Sequence, residues 1–244
     1  MLVRVVNPNT SAAMTAAIGR SAAAVAAVGT TVEAVNPSMG PASIESHYDE
    51  ALAVPGLLEE IARGDRDGAD AYVVACFGDP GLDAAREVAR GPVVGIAEAG
   101  MLTASMLGRG FSVVTTLERT TGRALELTGR YGVTDRCRSV RACEIPVLEL
   151  EEPGSDAERR ITEECARAVT DDRADVVVLG CAGMADLARR ISRSVGVPVI
   201  DGVAAATKAA ESLVVLGLTT SRRCEFAPPR SKRYTGLLEA FTVT

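Results

Sequence analysis

The chain of 244 residues is 47% hydrophobic, and its 26 basic and 32 acidic side chains give a formal net charge of −6. An acidic chain without a basic cluster excludes nucleic acid as an expected partner, and no apolar run reaches the roughly 20 residues of a membrane-spanning helix. The lack of an export signal, six cysteines without a CxxC pair and a single histidine, His47, predict a cytoplasmic protein with reduced thiols and no metal site.

Short Val-rich segments alternate with longer Ala-rich segments in the first half of the chain. We predict strands over residues 2–8, 30–37, 71–77 and 92–98, and helices over residues 12–28, 50–64 and 81–90. Either Thr10 or Ser11 can cap the first helix. Continuous apolar strands separated by helices are typical of a parallel sheet that helices cover on both faces.

The second half repeats this arrangement. We predict strands over residues 111–116, 139–145, 175–181 and 197–201, helices over 118–131, 156–172 and 184–194, and a further helical segment from residue 203. Four residues of the first half recur as the same residue type 105 positions later; the pairs are Asp70 and Asp175, Cys76 and Cys181, Gly78 and Gly183, and Leu82 and Leu187. We interpret the chain as two similar α/β halves.

The expected fold is α/β, with two pseudo-symmetric three-layer domains that each contain a mainly parallel four-stranded sheet. The first domain is expected to comprise residues 1–98 together with residues 205–244, and the second residues 99–204. Because ligands bind beyond the carboxyl ends of parallel strands, we expect the active site in the cleft between the domains.

Cys76 and Cys181 hold equivalent positions, where a predicted strand ends and a Gly-containing turn begins. If the halves are related by a two-fold axis, the two thiols face each other across the cleft. Backbone N–H groups of such turns favour an anion, so we expect them to lower the pKa of both thiols. A disulfide between the two cysteines is an alternative that a reducing cytoplasm disfavours.

Two facing thiols suit the inversion of a carbon centre. One sulfur removes a proton from a carbon acid, and the other delivers a proton to the opposite face. Candidates for stabilising the charge on the adjacent carbonyl oxygen are the backbone N–H groups of Phe77, Gly78, Ala182 and Gly183. The other four cysteines are interpreted as packing residues: Cys137, Cys143, Cys165 and Cys224.

Five segments together resemble the hydantoin/allantoin racemase family of the Asp/Glu racemase superfamily. They are NPNTS at 7–11, GPASIESHYDEALAVPGL at 40–57, ACFGDPGL at 75–82, VVTT at 113–116 and GCAGM at 180–184. The resemblance extends to about residue 220 and implies a two-base mechanism without a cofactor, acting on a small-molecule substrate. It also implies that Cys76 and Cys181 are the acid/base pair and that the protein is a homo-oligomer, a tetramer or hexamer.

The resemblance further implies which residues contact the substrate. Asn9 of the first segment and Thr115 and Thr116 after the fifth strand would line the pocket. Ser43 and Ile44 would close it beside the substrate.

The residues next to the cysteines bear on the substrate. Amino-acid racemases of the superfamily carry Cys-Asn-Thr and Gly-Cys-Thr, whereas this chain has Cys76-Phe77-Gly78 and Gly180-Cys181-Ala182. The polar groups that would hold an ammonium and a carboxylate are therefore missing. Phe77 and Ala182 suit a neutral ring of the hydantoin type instead.

The resulting hypothesis is a racemase of 5-monosubstituted hydantoins, allantoin among them. The C5 hydrogen lies beside a ring carbonyl, so its loss gives a stabilised enolate. His47, Tyr48 or Asp49 could contact a polar substituent at C5.

Other enzymes of the superfamily remain alternatives, namely an amino-acid racemase or a maleate isomerase. Arylmalonate decarboxylase relies on one cysteine, so two matched cysteines count against it. A non-catalytic solute-binding module is the alternative from another class, because two α/β halves around a cleft also describe such proteins.

Overall fold

The computed structural model describes residues 1–152 and 155–242, and this part of the chain contains two four-stranded sheets. Residues 153–154 and 243–244, which belong to the proposed second and first domains, lie outside the described residues. The first half contains β1 (Leu2–Val6), α1 (Ala12–Val25), β2 (Thr31–Val35), α2 (His47–Asp67), β3 (Ala71–Val74), α3 (Leu82–Val88), β4 (Val93–Gly95) and α4 (Ile96–Leu107). The second half contains β5 (Phe111–Thr115), α5 (Thr121–Arg130), β6 (Cys137–Ala142), α6 (Ala157–Thr170), β7 (Val176–Leu179), α7 (Ala188–Val195), β8 (Val199–Ile200) and α8 (Gly202–Val215).

The two sheets have the same topology. Their strand orders are β2-β1-β3-β4 and β6-β5-β7-β8, and all neighbouring strands are parallel. The repeated aspartate has the same role in each half: Asp70 accepts the N–H of Leu2 at 2.7 Å, and Asp175 accepts the N–H groups of Arg109 and Gly110 at 3.0 Å. The predicted pseudo-symmetric α/β fold is confirmed.

The buried apolar side chains form three clusters. One cluster is shared by the two halves and includes Val73 of β3 and Val178 of β7, and each sheet has a further cluster on its outer face. The strands are rich in Val, which favours extended backbone, and the helices are rich in Ala, which favours helix. Within residues 1–152 and 155–242, no helix combines the length and apolar character that crossing a membrane requires.

The helices α4 and α8 are exchanged between the halves. α4 follows the last strand of the first sheet, yet it packs against β5, β7 and β8 of the second sheet. α8 follows the second sheet and packs against β1, β3 and β4 of the first. This exchange supports the proposed domains, although the proposed division between residues 98 and 99 falls inside α4.

The start of α4 differs from the prediction. We expected a strand over 92–98, but β4 ends at Gly95 and the helix begins at Ile96, so the strand assignment of 96–98 is wrong. The reason is a tertiary contact, because the Asp79 carboxylate accepts the N–H groups of Ala97 and Glu98 at 3.1 and 2.9 Å. A carboxylate in this position satisfies the free donors of a helix N-terminus. At α1, in contrast, Ser11 is the N-cap, one of the two predicted residues.

Asp79 is a buried carboxylate that joins three parts of the fold. Besides the two N–H groups of α4, it accepts a hydrogen bond from the Tyr131 hydroxyl at 2.6 Å. Burial raises the pKa of Asp79 to about 7, although these hydrogen bonds act in the opposite direction. The folded protein therefore binds a proton at Asp79 more tightly than the unfolded chain does.

We expect this carboxylate to make stability depend on pH. The stabilisation from a raised pKa is fully present below the unfolded value of 3.8 and is lost as the pH rises through about 7. The free energy of unfolding of the wild type, relative to Asp79→Asn, should therefore fall between about pH 4 and about pH 8. Urea unfolding at several pH values measures this difference, with the exposed Asp135→Asn as the control. A difference that stays constant with pH would contradict the expectation.

Candidate active site

A cavity of about 180 Å³ lies at the carboxyl ends of β3 and β7, between the two halves. Nine of the eleven residues singled out from the sequence line it: Asn9, Ile44, Cys76, Phe77, Gly78, Thr115, Thr116, Cys181 and Ala182. Ser43 and Gly183 do not line the cavity. Gly183 lies directly behind it, because a Cβ there would be 3.7 Å from the sulfur of Cys181.

Cys76 is held in a tight turn after β3. The N–H of Asp79 donates to the carbonyl oxygen of Cys76 at 2.9 Å, which closes the turn. The N–H of Gly78 donates to the sulfur. The thiol is reachable from the cavity, yet protein surrounds it closely.

The expectation of a lowered pKa is wrong for Cys76. Burial raises the pKa of this thiol well above its usual range, and the hydrogen bond from Gly78 only partly offsets the effect. The negative charges of Glu50, Cys181 and Asp79 raise it further. Loss of solvation therefore outweighs the field of the turn, and Cys76 carries its proton at neutral pH.

Cys181 has the equivalent position after β7. It precedes a 3₁₀ helix over Ala182–Leu187, and its carbonyl oxygen accepts the N–H of Met184 at 3.1 Å. The negative charge of Cys181 is among the causes that raise the pKa of Cys76, so the two sulfurs lie within electrostatic reach of each other. The four cysteines interpreted as packing residues do not line the cavity: Cys137, Cys143, Cys165 and Cys224.

Asn9 is oriented by its neighbours. Its side-chain oxygen accepts hydrogen bonds from Nδ2 of Asn7 at 2.7 Å and from the N–H of Ser11 at 2.9 Å. Among the residues that the structure describes, its own Nδ2 group contacts only a weak acceptor, the sulfur of Met14, at 3.3 Å. The amide hydrogens of Asn9 are thus available to a ligand carbonyl in the cavity.

The two threonines after β5 differ in their hydrogen bonding. The hydroxyl of Thr115 donates to the carbonyl oxygen of Gly180 at 3.2 Å and lies 3.0 Å from the hydroxyl of Thr120. The hydroxyl of Thr116 makes no hydrogen bond to any residue that the structure describes, although the residue is only 3% exposed. Thr116 is therefore the better candidate for a ligand contact, whereas Thr115 orders the wall.

The sequence did not single out the charged wall of the cavity. This wall consists of Glu45, Glu50, Arg119 and Arg123. The two glutamates lie in the segment 40–57 that carries the resemblance, which is the one signal that could have pointed to them. The two arginines lie in and just before α5, where nothing in the sequence distinguishes them from surface cations.

The three candidates for contact with a polar substituent have different surroundings. His47 lines the cavity with a side chain that is 78% exposed. Tyr48 is 73% exposed and does not line it. Asp49 accepts the hydroxyl of Ser46 at 2.7 Å at the start of α2, which is a helix-capping contact.

Similarity to known proteins agrees with this arrangement. The family model for Asp/Glu/hydantoin racemases matches residues 3–210. The hydantoin racemase of Rhizobium meliloti is 49% identical over 236 residues, which cover 97% of this chain and 98% of the relative. The hydantoin racemase of Pseudomonas sp. (strain NS671) is 47% identical over 241 residues, covering 99% of this chain and 97% of the relative.

A solved structure extends the comparison to the fold. The allantoin racemase from Klebsiella pneumoniae matches with a TM-score of 0.97 and 49% identity, covering 99% of each chain. The predicted resemblance and the expected enzyme class, an isomerase of the racemase type, are confirmed. The chain belongs to the Asp/Glu/hydantoin racemase family.

Proposed function

We propose that the protein is a racemase of 5-monosubstituted hydantoins, allantoin included, that uses Cys76 and Cys181 as its acid/base pair and needs no cofactor. The observation that carries this proposal is that the two cysteines, from equivalent positions of the two sheets, line one cavity. The names of the relatives, hydantoin racemase and allantoin racemase, support the substrate class.

The proposed reaction moves one proton off C5 and one proton onto it. A thiolate takes the C5 proton to form an S–H bond, and the electron pair of the broken C–H bond passes to the adjacent carbonyl oxygen as an enolate. The opposite thiol then gives its proton to the other face of C5 and becomes a thiolate. Because Cys76 carries its proton, it fits the role of the thiol that donates a proton to C5. In that direction of the reaction, Cys181 is the thiolate that removes the C5 proton.

The enolate needs hydrogen-bond donors. The amide of Asn9 and the hydroxyl of Thr116 are two side-chain donors that line the cavity and make no strong hydrogen bond to a residue that the structure describes. Donors fixed in advance stabilise the developing charge without reorganisation during the reaction. Phe77 and Ala182 add apolar surface suited to a neutral ring.

Two further expectations remain part of the proposal. The resemblance to the family supports a homo-oligomer, a tetramer or hexamer, which sedimentation of the full chain would test. The six cysteines, all within the described residues, form no disulfide, which supports a cytoplasmic location.

We expect either cysteine variant to abolish racemisation. Cys76→Ser and Cys181→Ser each remove one of the two groups that exchange protons with C5, so optical rotation of an enantiopure hydantoin or of (S)-allantoin in D2O should no longer decay above the spontaneous rate. Wild type and the exposed Cys224→Ser should decay to zero rotation with deuterium at C5. Undiminished racemisation by either variant would contradict the two-thiol mechanism. No decay with wild type would direct the search to amino acids and maleate.

We expect Thr116→Val to lower kcat/KM by about 10- to 100-fold, because it removes one donor to the enolate while preserving shape. The same optical assay measures this effect. Thr162→Val, on α6 outside the cavity, is the matched control and should keep the wild-type value. Equal kcat/KM for the two variants would exclude Thr116 as a donor to the enolate.

A further inference from the structure

Arg123, in the second half, forms hydrogen bonds to Gly78, in the first half. From α5, its Nη2 and Nε groups donate hydrogen bonds to the carbonyl oxygen of Gly78, at 2.8 and 3.2 Å. Gly78 in turn donates its N–H to the sulfur of Cys76. Through these hydrogen bonds Arg123, whose side chain is 25% exposed, joins the second half to residues 75–81 between β3 and α3, here called the Cys76 loop.

Glu50 meets Arg123 from α2. Its Oε2 atom lies 3.5 Å from Nε of Arg123, and its side chain is 18% exposed. The carboxylate also lies against Gly78, since a Cβ added there would come within 2.1 Å of Glu50 Oε1. The missing side chain of Gly78 thus lets the carboxylate approach the Cys76 loop closely.

We propose that Arg123 and Glu50 are positioning residues for racemisation and form an ionic clasp that fixes the Cys76 loop against the second half. This inference rests on the proposed function, because the position of the sulfur matters for turnover only if Cys76 exchanges a proton with the substrate. The clasp acts through Gly78, whose carbonyl it holds and whose N–H reaches the sulfur. A misplacement of about 1 Å at a reacting group can cost on the order of 100-fold in rate.

The clasp also controls the charge of Glu50. Burial raises the pKa of Glu50, the electrostatic effects of Arg123 and His47 lower it, and the negative charge of Glu126 raises it. Arg123 lies closer to the carboxylate than His47 does, at 3.5 Å against 3.9 Å. Arg123 therefore helps to keep Glu50 ionised inside the cavity wall.

The sulfur of Cys76 faces three acidic groups, Glu50, Cys181 and Asp79, and each raises its pKa. Glu50 is paired with Arg123, which offsets part of its negative field at the sulfur. Loss of Arg123 would leave the charge of Glu50 uncompensated and make the Cys76 thiolate harder to form.

The first measurement is the racemisation kinetics of full-length variants. Arg123→Gln should lower kcat by about 10- to 100-fold with KM within about threefold of wild type. Arg123→Lys keeps the charge but loses the two-pronged hydrogen bond, so it should recover only part of kcat. Arg130→Gln is the matched control, since Arg130 on the same helix also joins the halves, through Asp83 at 2.5 Å, but does not line the cavity. It should keep the wild-type kcat.

The second measurement needs no turnover. Iodoacetamide alkylates the thiolate, so the rate of modification of the Cys76 peptide at pH 9, followed by mass spectrometry, reports the thiolate fraction. Glu50→Gln should speed this modification by about tenfold in Arg123→Gln protein, the factor that one pKa unit produces. In protein that keeps Arg123, Glu50→Gln should accelerate the alkylation of Cys76 by a factor at least about threefold smaller, because Arg123 already offsets part of the charge of Glu50. This double-mutant comparison cancels any change in accessibility caused by Arg123→Gln alone.

The two measurements separate the inference from the proposed function. Equal acceleration in both backgrounds, or equal kcat for Arg123→Gln and Arg130→Gln, would overturn the clasp. If wild type racemises no hydantoin while the alkylation rates remain coupled, the proposed substrate class fails and the electrostatic clasp around Cys76 stands.

Discussion

The close packing of α4 against α8 is the contact on which the cavity depends. A Cβ on Gly202 of α8 would come within 2.6 Å of the carbonyl oxygen of Ile96, at the start of α4, so the two helices approach closely only because a glycine stands there. A Cβ on Gly100 of α4 would lie 3.1 Å from Val178 of β7. This packing fixes the two sheets relative to each other and brings Cys76 and Cys181 to one cavity.

Burial of the Cys76 thiol has two opposite effects on proton transfer. It lowers the fraction of thiolate at neutral pH, because a buried charge loses its hydration. It also makes the thiolate, once formed, a stronger base toward a weakly acidic carbon. The amide of Asn9 also favours proton transfer. Asn7 and Ser11 hold this donor in place, so it needs no rearrangement when the enolate forms.

Local patterns in the sequence were sufficient for most of the fold and for the positions of both cysteines. Val-rich strands, Ala-rich helices and the spacing of 105 residues predicted two equivalent sheets. The start of α4 could not be predicted, because its donors are satisfied by Asp79, 18 residues before Ala97. The pairing of Glu50 with Arg123 and the raised pKa of Cys76 also depend on tertiary packing, which no short segment contains.

The exchange of α4 and α8 bears on how the chain reaches its fold. β1 lies at the beginning of the chain, and α8, which packs against it, ends at Val215. During synthesis the first sheet therefore emerges without the helix that covers one of its faces. Contacts between such distant segments slow folding and leave apolar surface exposed until late. Despite the symmetry of the fold, the helix α8 that packs on the first sheet is therefore synthesised only after the whole second sheet.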